Sequence, residues 1–146
     1  MTQLEIMCKL EEILEEVKAG ILVTIDANGR PHMRWMTPSC IKDRPNTIFT
    51  VTSPQFPKVE DLNIHPYGEW MIQTRSLNQI VNLRGKVNLL NQPSLKSELL
   101  ENIGDRLTMF WKVNENKMDF LVLETVIEEG IYFEPMKGIK EKVFFA

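Results

Sequence analysis

The stretch "VTIDANGRPHMRWMTP", residues 23–38, joins two apolar runs through a turn and decides how the fold begins. The run "ILVTI", residues 21–25, is rich in β-branched side chains, and residues 31–36 resume an extended pattern. The Asn28-Gly29 pair between them suits a type I′ turn, so the stretch predicts a β-hairpin. Arg34 stands inside the second strand, where a cation must reach water, pair with a carboxylate or meet an anion.

Beyond the hairpin, extended and helical patterns alternate along the chain. The clearest strand is "NQIVNLRGKVNLL", where Val81, Leu83, Val87 and Leu89 share one face and Gly85 interrupts the apolar row. Residues 46–52 and 69–76, a segment after residue 119 with a turn at Glu129-Gly130, and the closing "EKVFFA" complete the predicted extended structure.

Three helices are expected beside these strands. The first is amphipathic and ends at Gly20, the second is a short helix between Ser53 and Pro66, and the third begins at Pro93 and ends at Gly104. Strands in hairpin succession without a regular β-α-β period predict a mainly β (α+β) fold, a closed antiparallel barrel with flanking helices. Since no repeat or linker interrupts the pattern, residues 1–146 are expected to form a single domain.

Composition narrows the classes of function. The 146 residues carry a net charge of -3, which argues against nucleic acid or an anionic membrane surface as a partner. No apolar run approaches the length of a membrane span and no signal peptide is recognisable, so a cytoplasmic protein is expected. Cys8 and Cys40 form no metal-binding or disulfide pattern and are interpreted as buried free thiols.

A group of polar residues around the second and third strands matches the needs of a phosphate dianion. Arg34 offers a planar fork of donors, Thr50 and Thr52 offer hydroxyls on one strand face, and Lys58 stands near the start of a short helix. These side chains converge if the second and third strands pair. The spacing matches neither a phosphate-binding loop nor a dinucleotide motif.

The segments "TIDANGRPHMRWM", "TIFTVTSPQFPKVEDLNIHP" and "WMIQTRSLNQIVNLRGKVNLL" resemble the FMN-binding split barrels related to pyridoxamine 5′-phosphate oxidase, in particular the general-stress-protein branch. The similarity extends over residues 4–135, nearly the whole chain. The resemblance implies an antiparallel six-stranded split β-barrel with flanking helices. It also implies a homodimer that holds FMN at the subunit interface and acts on a small-molecule substrate.

The resemblance also assigns residues to the cofactor. Arg34 and Lys58 correspond to the phosphate-binding pair, Thr50 and Thr52 to the hydroxyl positions of the third strand, and the backbone of Trp35 and Met36 to the edge of the ring. Gln79 resembles a glutamine directed to the flavin, with Asn78 or Asn82 as alternatives for that place.

Departures from the family pattern leave the activity open. The tail "YFEPMKGIKEKVFFA" has Lys137 and Lys140 but no arginine of the kind that grips pyridoxal phosphate, so vitamin B6 oxidation is not carried over. His32 and His65 fit no ligand motif, and neither a metal site nor a catalytic residue is assigned. Three functions stay open: a flavin-dependent oxidoreductase, a non-catalytic binder of flavin, deazaflavin or haem, and a purely structural dimer.

Overall fold

The structure, a computed structural model, describes residues 1–52, 57–103 and 120–146. Within these residues the chain forms seven β-strands, three α-helices and a short 3₁₀ helix. Their order is α1 Gln3–Val17, β1 Gly20–Ile25, β2 Pro31–Met36, β3 Thr47–Thr52, α2 Pro57–Ile64, β4 Tyr67–Gln73, β5 Ile80–Leu90, α3 Pro93–Ile103, β6 Leu121–Glu134, the 3₁₀ helix Pro135–Lys137 and β7 Ile139–Phe144. No helix among the described residues is long and apolar enough to span a membrane.

The strands form one antiparallel sheet in the order β2-β1-β4-β5-β6-β3, with β7 also paired to β6. This confirms the mainly β class with flanking helices, although the C-terminal strand makes the count seven rather than six. Within the described residues, β2 and β3 are the two ends of the sheet and do not pair with each other. The segment that follows β2 contacts β3 through an isolated bridge between Ser39 and Phe49. The closed barrel expected from the succession of strands is therefore wrong, whereas the open antiparallel sheet with flanking helices is consistent with the split barrel that the resemblance implies.

The β1–β2 hairpin is present with the predicted strands but with a different turn. The Gly29 N–H donates to the Asp26 carbonyl at 3.0 Å, and Gly29 has a φ of 79° whereas Asn28 is not in the left-handed region. The Asp26 carboxylate accepts from the N–H groups of Asn28 and Arg30, each at 2.9 Å. These side-chain bonds stabilise a longer turn, so the type I′ prediction is wrong.

Helix α1 covers one end of the sheet with Ile6, Leu10, Ile13 and Leu14. It ends before the predicted stop, because Lys18 takes the left-handed conformation and its N–H bonds the Leu14 carbonyl. Gly20 instead begins β1. Cys8 lies on the exposed side of α1, which corrects the prediction that both thiols are buried.

Strand β5 has the predicted alternation, with Val81, Leu83 and Val87 buried on one face. A Cβ at Gly85 would overlap the Val126 carbonyl, and the register between β5 and β6 shifts at this point. A glycine is therefore required where the two backbones approach closely. The turn predicted at Glu129-Gly130 is wrong, because β6 continues as one strand from Leu121 to Glu134.

The sheet has two unequal faces. The inner face carries the main core, built around Leu22, Trp70 and Leu83 and covered by α1 and by Leu62 of α2. A second core packs the other side of β3 against α3. We call the opposite, solvent-facing side of β2, β1, β4 and β5 the outer face; its side chains are Ile21, Met33, Trp35, Tyr67, Glu69, Met71, Asn82 and Arg84.

Candidate functional site

Arg34 lies on the inner face of the edge strand β2. Its register partner is Leu22, which in turn pairs with Trp70, so the arginine points to the same side as these core residues. The side chain is half-buried, and its one hydrogen bond within the described residues is a long one from Nη1 to the Leu22 carbonyl at 3.5 Å. Most of its donors therefore have no partner in the part of the chain that the structure describes.

The electrostatic surroundings of Arg34 are mixed. Burial lowers the pKa of its guanidinium, while the charge of Asp61 in α2 acts in the opposite direction. Arginine stays protonated at neutral pH despite this desolvation. The inner face thus holds a cation whose donors are largely unpaired, with a carboxylate in the neighbouring helix.

Thr50 and Thr52 are both buried on β3, opposite Leu123 and Leu121 of β6. The Thr50 hydroxyl donates to the Thr37 carbonyl at 2.8 Å. The Thr52 hydroxyl is buried with no hydrogen-bond partner among the described residues. Of these two threonines, Thr52 is therefore the one whose hydroxyl has no partner in the described part of the chain and is available to a ligand.

Arg34 and the two threonines were predicted to converge through pairing of β2 with β3, but the structure connects these strands in another way. Strands β2 and β3 do not form a ladder, but residues that follow β2 contact β3 through the Ser39–Phe49 bridge and the Thr50–Thr37 hydrogen bond. Arg34 precedes Thr37 by three residues, about 10 Å along an extended strand. Arginine and threonines thus border the same gap between the two ends of the sheet. Lys58 is the second residue of α2, and its side chain lies outside the described residues.

Trp35 and Met36 leave β2 on opposite sides. The Trp35 side chain is 63% exposed on the outer face, whereas Met36 belongs to the main core of the inner face. In this position Trp35 joins a row of outer-face side chains formed with Ile21 and Met71.

Gln79 is placed away from Arg34. Its Nε2 donates to the Tyr132 hydroxyl at 2.9 Å, and that hydroxyl donates to Glu134 at 3.0 Å. Leu83 of β5 is in register with Arg34 and lies three strands away from it, about 14 Å across the sheet. Gln79 precedes Leu83 by four residues, about 13 Å along the strand direction. One chain therefore does not bring Gln79 to the arginine, and its role at a flavin stays a prediction.

Two basic side chains of the sheet surface form ion pairs within the chain. Arg84 Nε lies 3.1 Å from Glu69, and Lys142 Nζ lies 3.1 Å from Glu129. Arg84 also approaches Glu129 at 3.6 Å, so the four side chains form one network on the sheet surface. A groove of about 490 Å³ runs beside this network, between Tyr67 and other apolar side chains.

A separate hollow of about 1110 Å³ lies between the start of α1, the segment before β3, and α3. Its described lining includes Cys40, Arg44 and Glu98, and contains none of the residues predicted to bind the cofactor. Burial raises the pKa of the Cys40 thiol to about 12, and the Glu11 carboxylate adds to the shift. The thiol is protonated at neutral pH, so it is not an activated nucleophile.

The described parts of the chain were searched for groups of metal-ligating side chains. No three His, Cys, Asp or Glu side chains come together there. His32 instead bonds the Asp26 carboxylate at 2.7 Å beside the hairpin turn. This contact and the backbone hydrogen bond from Arg30 both lower the pKa of Asp26, the latter more strongly.

Solved structures share this fold. A Listeria innocua protein named for pyridoxamine 5′-phosphate oxidase is 26% identical, with a TM-score of 0.66 over 84% of this chain and 94% of its own. A Clostridium acetobutylicum protein related to general stress protein 26 has a TM-score of 0.75 at 18% identity, over 97% and 96% of the two chains. An FMN-binding protein of Nostoc punctiforme, related to the same oxidase, has a TM-score of 0.66 at 12% identity, over 95% of each chain.

A comparison with curated proteins found no match. The family model described as pyridoxamine 5′-phosphate oxidase, however, matches residues 6–133, which include β1 to β5, all but the last residue of β6, and residues 6–17 of α1. The match also contains every residue predicted from the sequence to contact a cofactor. The chain therefore belongs to the pyridoxamine 5′-phosphate oxidase family.

Proposed function

We propose that the chain is an FMN-binding flavoprotein that works as a homodimer, holds the flavin between its two subunits and acts as an oxidoreductase on a small molecule. The observation that carries the proposal is Arg34, a half-buried cation on the inner face with largely unpaired donors. A phosphate group satisfies such a guanidinium through charge-assisted hydrogen bonds. Family membership supports the choice of flavin over other phosphorylated ligands.

The neighbouring residues fit the phosphate of FMN in part. Thr52 offers a buried hydroxyl without a partner, and an unpaired buried polar group is costly unless a ligand satisfies it. Lys58 would add a point charge from the start of α2. Asp61 opposes an anion at this place, so we expect the affinity to come from Arg34, Thr52 and Lys58 together.

The outer face supports the proposed dimer. Trp35 is 63% exposed and Met71 is 40% exposed, beside Met33 and Tyr67 on the same face. Apolar surface of this kind marks an interaction site. The ion-pair network at its β4–β5 side contains both acidic and basic side chains, which would allow the face to pair with a copy of itself about a two-fold axis.

When bound, FMN supplies hydride and electron transfer at its ring, which is chemistry that the cofactor itself provides. The residues of the chain would bind and orient the cofactor: Arg34 would hold the phosphate on the inner face of the sheet. None of the described residues needs to act as an acid or a nucleophile, in agreement with the protonated state of Cys40.

Replacement of Arg34 tests the proposal. We expect Arg34→Ala to weaken FMN about ten- to a hundredfold, because a charge-assisted bond to the phosphate is lost. Arg30→Ala is the matched control, since Arg30 is exposed at the hairpin turn. Adding Lys58→Ala to Arg34→Ala is expected to weaken FMN further. The measurement is a titration followed by flavin fluorescence, and equal affinity of wild type and Arg34→Ala would remove the phosphate assignment.

A further inference from the structure

The inner face of the β1–β2 hairpin carries a second basic side chain beside Arg34. His32 precedes Arg34 by two residues on β2, so both side chains leave the same side of the strand, about 7 Å apart along it. Their register partners on β1 are Thr24 and Leu22, both fully buried on the inner face. The imidazole and the guanidinium are therefore neighbours on one face of the edge strand.

Contacts at the hairpin turn fix the orientation of the His32 ring. Its Nε2 lies 2.7 Å from Oδ2 of Asp26, while Oδ1 of that carboxylate accepts from the N–H groups of Asn28 and Arg30, each at 2.9 Å. The backbone thus anchors the carboxylate, and the carboxylate holds the ring. The His32 side chain is 54% exposed, and its Nδ1 has no hydrogen-bond partner within the described residues. One nitrogen of an oriented imidazole is therefore open to a ligand.

Thr24, directly opposite His32 on β1, adds a buried hydroxyl without a partner. Its side chain is fully buried, and its Oγ1 has no hydrogen bond to any described residue. A buried hydroxyl in this state lowers stability unless another group satisfies it. The inner face of the hairpin thus brings together three groups with unused hydrogen-bonding capacity, which are the Thr24 hydroxyl, the His32 Nδ1 and the Arg34 guanidinium.

The acidic groups around this cluster do not satisfy it. Asp26 is ionised at neutral pH, because the backbone hydrogen bond from Arg30 and, next, the bond to His32 lower its pKa. Both of its oxygens are engaged by these bonds and by the N–H of Asn28. The charge of Asp61 in α2 acts on Arg34, but no hydrogen bond or ion pair joins the two side chains. Donors on His32 and Arg34 are therefore left for an anion.

We propose that His32 binds the phosphate of the ligand together with Arg34, with Nδ1 donating to a phosphate oxygen while Nε2 donates to Asp26. A doubly protonated imidazole has two N–H donors, which match these two acceptors. Charge-assisted bonds of about 2.8 Å allow residues about 7 Å apart on a strand to reach different oxygens of one phosphate. The inference rests on the proposed function and adds His32 to the residues that bind the phosphate.

Flavin titrations test this role, with riboflavin as the ligand that lacks the phosphate. We expect His32→Leu to weaken FMN about tenfold and to leave the affinity for riboflavin unchanged, because only the bond to the phosphate is lost. Arg30→Ala is the matched control, since it removes an exposed charge from the same hairpin, and it is expected to bind both flavins as wild type does. Circular dichroism establishes that each variant is folded.

A second measurement needs no flavin. The chain has two histidines, so the ring C–H signals of His32 in a proton NMR spectrum are identified by their absence from the spectrum of His32→Leu. We expect inorganic phosphate to shift these signals in wild type, and chloride at equal ionic strength to leave them in place. The two anions differ in the oxygens that a phosphate offers to Nδ1.

The outcomes separate this inference from the proposed function. Unchanged FMN affinity in folded His32→Leu contradicts the role of His32, and so does an equal loss of FMN and riboflavin, because that loss does not lie at the phosphate. His32 signals that do not respond to phosphate also overturn the inference, while FMN binding by wild type leaves the proposed function standing. A response to phosphate in a wild type that binds no FMN supports the phosphate contact and overturns the proposed function.

Discussion

The guanidinium of Arg34 lies on the inner face of an edge strand, where half-burial and a single long hydrogen bond leave its donors available. Alternation along β2 was sufficient to predict that this cation required an anion or water. The sequence could not show that the charge of Asp61 in α2 acts on Arg34, because this depends on which elements pack together. Thr50 and Thr52 lie on the same face of β3, but among the described residues only the Thr50 hydroxyl has a hydrogen-bond partner.

The Cys40 thiol is expected to make the free energy of unfolding depend on pH. Burial raises the pKa of its thiol from 9.0 to about 12, so the folded chain keeps a proton that the unfolded chain loses between these values. The stabilisation that this group contributes is fully present below pH 9.0 and is lost as the pH rises toward 12. The free energy of unfolding should fall by up to about 1.4 kcal/mol per pH unit in this window.

Urea unfolding of wild type and Cys40→Ala, below and above the ordinary thiol pKa, measures this contribution. Cys40→Ala should show the smaller loss of stability at high pH, while Cys8→Ala, at an exposed position on α1, should behave as wild type. An identical pH dependence of wild type and Cys40→Ala would refute the buried, protonated thiol.

Strand alternation and helix periodicity predicted most elements, because both signals are local. Strand β5, the β1–β2 pair, α1 and α3 were all recognisable from their spacing. The turn type, the continuous β6 and the open gap between β2 and β3 were not, since they depend on contacts that are distant in sequence. The Asp26 carboxylate decides the turn, and the path of β6 depends on its pairing with β5.

A substitution at Gly85 tests the close approach of β5 and β6. A Cβ there would overlap the Val126 carbonyl, so Gly85→Ala must push β5 and β6 apart at the register shift. We expect a loss of about 3 kcal/mol in the free energy of unfolding, at the upper end of overpacking costs. Lys86→Ala, at the next and exposed position, should change it by less than about 0.5 kcal/mol. Chemical denaturation would contradict the close approach if Gly85→Ala were as stable as wild type.

The whole molecule presents one sheet face to a core and another to solvent, and we propose that two copies pair through the outer face. Family membership and fold were within reach of the sequence because they rest on the order of strands and polar residues. Subunit pairing was implied only by the resemblance, and exposed apolar side chains on the outer face now give it a location to test.

Substitution of that face tests the proposed pairing. Met71→Glu introduces a charge in the apolar row beside Asn82 and is expected to yield a monomer with weakened FMN binding. Met136→Glu is the matched control, because Met136 is 86% exposed in the 3₁₀ helix and lies outside the outer face. Sedimentation of a Met71→Glu dimer as stable as the control would exclude the outer face as the interface.

Sedimentation velocity of the FMN-loaded wild type tests whether the chain forms a homodimer that holds FMN through its phosphate. Protein and flavin are followed separately, the flavin through its visible absorbance, and riboflavin serves as the ligand without phosphate. We expect FMN to sediment with a species of twice the mass of the chain and riboflavin to remain largely free. FMN that stays free, or that sediments with a monomer, would contradict the proposed FMN-binding homodimer.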